Sequence, residues 1–121
     1  MRILAVDPDE YYHDFFQEAW GADHELRLAR SHKDASLALR EFEPDCVVTE
    51  LLLSDRTGYD LLRDLRQIWP NKDVLTIFFT RAGNPEDAGA ALKLGVNHYL
   101  VKGQDTIADL KHLLLTQKND V

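Results

Sequence analysis

Asp45-Cys46-Val47-Val48-Thr49-Glu50 is the stretch on which the fold turns. Its apolar run is too short for a helix and reads as a parallel strand covered on both faces. An acid stands where the chain leaves that strand. Runs of the same kind recur on either side: Ile3 to Val6 and Leu26 to Ala29 before it, Val74 to Phe79 and Tyr99 to Val101 after it. The second run, Leu26-Arg27-Leu28-Ala29-Arg30, alternates and reads as an edge strand.

Between the runs lie amphipathic helices. Tyr12, Phe15, Phe16 and Ala19 follow the i, i+3, i+4, i+7 spacing, as do Ala35, Ala38, Leu39 and Phe42, and Ala88, Ala91, Leu92 and Gly95. The third helix carries Leu61, Leu65, Ile68 and Trp69, and the fifth carries Ile107, Leu110, Leu113 and Leu114. Ser31 to Asp34 and Thr57 to Asp60 resemble capping boxes, with Asp in place of Glu. Asn84-Pro85-Glu86-Asp87 supplies a cap, an N1 proline and first-turn acids, and Gly95 is a helix stop. The expectation is a single (βα)5 domain over residues 1–121: a doubly wound parallel sheet between two helical layers, an α/β three-layer sandwich. The polar tail Thr116 to Val121 is either a true terminus or the edge of a linker.

In open parallel sheets, ligands bind beyond the carboxyl ends of the strands. Those ends carry Asp7-Pro8-Asp9-Glu10, Thr49-Glu50, Thr80-Arg81 and Lys102-Gly103. One rim thus gathers acids, a hydroxyl, a guanidinium and an ammonium. Taken with Gly58-Tyr59-Asp60-Leu61-Leu62 and Gly95-Val96-Asn97-His98-Tyr99-Leu100-Val101-Lys102, this order and spacing resembles a response-regulator receiver domain over essentially the whole chain. The resemblance implies a flavodoxin-like strand order 2-1-3-4-5. It also implies that Asp7 and Asp9 belong to an acidic pocket, that Glu50 stands at the phosphoacceptor position, that Thr80 and Tyr99 are switch residues, and that Lys102 is the strand-five lysine.

Four rim positions depart from that pattern. Glu50 replaces the accepting aspartate, moving the carboxylate outward on the order of 1 Å, an error that can cost on the order of 10²-fold in rate. Pro8 replaces an acid that ligates Mg²⁺ in the family, with Asp9 one residue further along. Arg81 stands where a small residue is usual, and its charge is free to pair with Glu50. Gly103 replaces a proline preceded by a cis bond, so a reshaped loop is expected there. The expected chain is therefore an atypical, pseudo-receiver variant. Mg²⁺ binding is weakened or lost, with Asp7, Asp9 and Glu50 as the residual metal set. It acts without phosphorylation and is not an enzyme.

Simpler roles remain open for these residues. Asp7 can cap the first helix with Pro8 at N1. Glu50, Thr80, Arg81 and Lys102 can be solvated surface groups, and Tyr99 can serve packing alone.

Other chemistries find little support. The 121 residues, 45% hydrophobic and 29% charged, suit one globular domain. The formal net charge of -7 disfavours direct nucleic-acid contact. The one cysteine, Cys46, forms no internal disulfide and reads as a buried hydrophobe. The five histidines are dispersed without zinc-ligand spacing. No nucleotide-binding glycine motif and no Gly-x-Ser-x-Gly elbow occurs. Met1 to Asp7 is too short for a signal peptide, and no apolar run approaches the roughly 20 residues of a membrane span. A cytoplasmic location away from membranes is the expectation.

Two other readings compete. In one, Asp9 or Asp55 accepts phosphate or binds Mg²⁺ in an unorthodox working receiver. In the other, Asp7-Pro8-Asp9 begins a phosphatase similar to haloacid dehalogenases, although the chain has no Gly-Asp or Asp-Asp step for the later metal ligands. The expected partners are a histidine kinase, an effector domain, another regulator or a second copy. They would meet the face formed by helix 4, strand 5 and helix 5, where the receiver family commonly docks.

Overall fold

The computed structural model describes residues 1–119, with side chains described through residue 115. In chain order the elements are β1 (Arg2–Val6), α1 (Glu10–Trp20), β2 (Glu25–Ala29), α2 (His32–Glu41), β3 (Cys46–Thr49), α3 (Gly58–Ile68), β4 (Leu75–Thr80), α4 (Pro85–Lys93), β5 (His98–Val101) and α5 (Ile107–Asn119). The strands form one parallel sheet in the order β2-β1-β3-β4-β5. This is the doubly wound, flavodoxin-like order, with β2 at an edge. The tail expected from Thr116 is helical as far as Asn119, and the rest of it lies outside the described residues.

Period-two alternation along the strands builds a core on each face. Ile3, Ala5, Cys46, Val48, Ile77 and Phe79 pack with Phe16, Ala19 and Trp20 of α1 and Leu110 and Leu114 of α5. Leu4, Val6, Val47 and Phe78 pack with Leu39 of α2, Leu61 and Leu65 of α3 and Ala91 of α4. Cys46 is fully buried, and that burial pushes its thiol well above the usual range. Trp20, which the helical spacing did not single out, is buried and stacks on Phe16 with centroids 5.8 Å apart.

The expected stripe on α4 is narrower than its spacing suggests. Only Ala91 of that helix is buried, and Leu92 is 51% exposed. A nine-residue helix meeting the sheet through alanine covers little area, so Leu92 falls on its outer side. Gly95, with φ of +92°, ends the element as expected. Among the described residues, no helix is long and apolar enough to cross a membrane.

The helix starts were partly legible. Thr57 and Asp60 form a full reciprocal capping box: the Asp60 N–H donates to the Thr57 hydroxyl at 3.3 Å, and the Thr57 N–H donates to the Asp60 carboxylate at 3.0 Å. Thr57→Ala is expected to cost about 1 kcal/mol of stability, read as a lower urea midpoint with an unchanged m-value. At α2, Ser31 accepts the Asp34 N–H at 3.1 Å. The reciprocal half is absent there, and the next two amides go to Asp55 instead.

Candidate functional site

The sheet delivers its chemistry at the carboxyl ends of β1, β3, β4 and β5. There an open cleft of about 490 Å³ is lined by Asp7, Pro8, Asp9, Glu50, Thr80 and Lys102, among others. Glu50 directly follows β3, and its N–H donates to the Val6 carbonyl at 3.0 Å, which fixes the strand end against β1. Gly58 allows the following loop to fold back. A Cβ there would lie 2.9 Å from the Glu50 carbonyl oxygen and 3.3 Å from the Phe78 ring.

Asp7, Glu50 and Thr80 are 1%, 7% and 1% exposed. The Lys102 ammonium lies 2.6 Å from Asp7 Oδ2 and 2.7 Å from Glu50 Oε2, and the lysine side chain is only 4% exposed. The remaining carboxylate oxygens are also occupied. Asp7 Oδ1 accepts the Asp9 N–H at 2.9 Å. Glu50 Oε1 accepts the Leu51 N–H at 2.8 Å and a short hydrogen bond from the Thr80 hydroxyl. Buried carboxylates are tolerable when ion-paired and hydrogen-bonded in this way.

The network continues outward. Thr80 Oγ1 accepts the Ala82 N–H at 3.2 Å, and the Ala82 carbonyl accepts the Tyr99 hydroxyl at 2.5 Å. A hydrogen-bonded path therefore runs from Glu50 through Thr80 and Ala82 to β5. Tyr99 is half-buried. Burial first, then the nearby Asp87, Tyr59 and Glu50 groups, push its phenol above the usual range, so it remains a donor at neutral pH.

Several expectations need correction. Asp7 does not cap α1. Asp9 is the N-cap, accepting the Tyr11 N–H at 2.9 Å, so Pro8 precedes the cap rather than sitting at N1. Arg81 does not pair with Glu50: its side chain is 73% exposed and lies 3.6 Å from Asp9. Lys102 takes Glu50 because it enters from β5, which borders β4, with its own N–H on the Thr80 carbonyl at 2.9 Å. The bond before Gly103 is trans, as expected in the absence of the proline, and Gly103 adopts φ of +88°, a turn that glycine makes without Cβ strain. Asp55 is engaged elsewhere. Its carboxylate accepts the His32 and Lys33 N–H groups at 2.9 and 3.0 Å, tying the β3–α3 loop to the start of α2.

One contributor had no sequence signal. The Tyr12 ring, read only as part of an apolar stripe, lies 4.0 Å from the Lys102 ammonium, measured to the ring centroid. Nothing linear connects positions 12 and 102; the packing of α1 across β4 does.

Mg²⁺ takes near-octahedral oxygen ligands at about 2.0–2.1 Å. This donor set does not fit it: position 8 offers no side-chain oxygen, Asp9 serves the helix cap, and the free edges of Asp7 and Glu50 both converge on an ammonium.

A family model described as the response regulator receiver domain matches residues 3–114. A probable cyclic di-GMP phosphodiesterase of Vibrio cholerae is 26% identical over 100 residues, covering 83% of this chain and 23% of its own length. An uncharacterized 14.6 kDa protein of Leptolyngbya boryana is 30% identical over 110 residues, covering 88% of this chain and 82% of its own. In shape, the signal receiver domain of a putative LuxO repressor protein from Vibrio parahaemolyticus superposes with a TM-score of 0.86 at 18% identity, over 98% of this chain and 90% of that one. The chain thus spans under a quarter of the phosphodiesterase relative and most of the Leptolyngbya protein.

Proposed function

The chain belongs to the response regulator receiver domain family, and from that footing we propose that it signals without phosphoryl transfer, with Glu50 as a resident anion in place of a phosphorylated aspartate. Receiver domains are signalling modules that work with histidine kinases and effector domains. The observation that carries the finer reading is the Glu50 carboxylate itself, buried, 2.7 Å from the Lys102 ammonium and hydrogen-bonded by Thr80. Its single charge makes it a partial mimic of a phosphoryl group, which brings about -1.5 to -2.

The path from Glu50 through Thr80 and Ala82 to Tyr99 links that charge to β5. The output surface in this reading is the α4–β5–α5 face; Leu92 and Leu94 at the end of α4 and Leu115 of α5 are exposed. A kinase, an effector domain, another regulator or a second copy fits there, and the acidic net charge disfavours nucleic acid. Against an unorthodox working acceptor stands the engagement of its candidates: Asp9 caps α1, and Asp55 accepts the first amides of α2.

The test is direct. The protein is incubated with a small acyl-phosphate donor and Mg²⁺ and weighed intact. An unchanged mass is expected. A stable gain of one phosphate on Glu50 or Asp9 overturns the reading.

A further inference from the structure

Asp7 and Glu50 bring two carboxylates into a cleft where they are 1% and 7% exposed. Such burial is very costly without compensating cations. Two cations line the cleft among the described residues. Arg81 is solvent-facing and turned to Asp9. Lys102 is 4% exposed and touches both buried carboxylates, at 2.6 and 2.7 Å. Asp7 Oδ2, itself buried, accepts no other hydrogen bond among the described residues, so the lysine contact compensates it.

The ammonium is also held from behind. The Tyr12 ring faces it, and that ring is braced by Phe79 and Phe15 at centroid distances of 5.6 and 5.9 Å. Ring faces attract cations most strongly when both are out of water.

We infer that the Lys102 ammonium, seated on the Tyr12 ring, is the resident cation of this cleft and closes it to divalent ions. Tyr12 is the positioning residue of that arrangement. The two carboxylates converge on one point, and the lysine occupies it. A divalent ion needs the same free edges of Asp7 and Glu50, so it competes with a tethered cation that is already paired. Removing the ammonium, with no acid added, opens a two-carboxylate site. The inference rests on reading Glu50 as a resident anion, and it adds which group answers that charge.

Mn²⁺ is the probe, followed by water-proton relaxation and by melting temperature. The unsubstituted protein is expected to show no saturable Mn²⁺ site at millimolar concentration. Lys102→Met gains one and melts higher as Mn²⁺ is added. Adding Glu50→Gln to Lys102→Met removes the gain. Tyr12→Leu gains weaker binding, and Tyr12→Phe, which keeps the ring, behaves as the unsubstituted protein.

Saturable Mn²⁺ binding to the unsubstituted protein that Asp7→Asn abolishes overturns the inference. So does a folded Lys102→Met that binds no Mn²⁺. If Lys102→Met does not fold, Tyr12→Leu decides: a gain in Mn²⁺ binding supports the inference and no gain overturns it. Mn²⁺ binding by an unsubstituted protein that still refuses acyl phosphate defeats this inference while leaving phosphorylation-independent signalling intact.

Discussion

Lys102→Met is expected to lower folding stability by about 3–5 kcal/mol, the usual cost of leaving buried charge without its partner. The side chain is 4% exposed and serves Asp7 and Glu50 together, so its loss strands two carboxylates. Methionine keeps most of the volume, which separates charge loss from cavity formation. The expected readout is a fall in melting temperature on the order of 10–20 °C. Glu50→Gln combined with Lys102→Met should be less damaging than the two single losses summed, with a coupling of about 1–3 kcal/mol. A Lys102→Met protein that unfolds with the parent's urea midpoint would show that the ion pairs contribute nothing to stability.

Phe79→Ala should cost a similar amount, about 3–5 kcal/mol, by opening a cavity in the layer between the sheet and α1. Phe79 is 1% exposed and its ring meets those of Tyr12, Phe15 and Phe16 at 5.6, 5.5 and 5.9 Å. The effect should reach the cleft as well, because Tyr12 stands between Phe79 and the Lys102 ammonium. Phe79→Leu, which refills most of the space, is expected to recover much of the loss. Equilibrium urea unfolding of the three proteins checks this; a Phe79→Ala midpoint equal to the parent's would contradict it.

The sheet was legible because its signals are local. Short apolar runs set the strands, 3.6-residue stripes set the helices, and right-handed crossovers leave few ways to join them. The same locality explains the identities at the rim, where Asp7, Glu50, Thr80 and Lys102 converge as their strand ends require. What the sequence did not carry was direction. Pro8 can sit at N1 or before a cap, and only the observed start of α1 at Glu10 makes Asp9 the cap and frees Asp7 for the lysine. Arg81 and Lys102 both leave strand ends close to Glu50, and their reach is settled by rotamer and burial. Asp55 looked like a spare acid because its partners, the first amides of α2, lie more than 20 residues away in sequence. Leu92 matched the period of α4, yet a short helix docked through Ala91 left it outside.

Backbone amide spectra of the unsubstituted protein and of Glu50→Gln, each with and without acyl phosphate and Mg²⁺, test the central claim most directly. If Glu50 supplies the standing charge, its neutral isostere should shift the amides of Thr80, Ala82 and Tyr99, while acyl phosphate leaves the unsubstituted spectrum unchanged. The opposite pattern, in which acyl phosphate moves those three amides and Glu50→Gln leaves them in place, would contradict it.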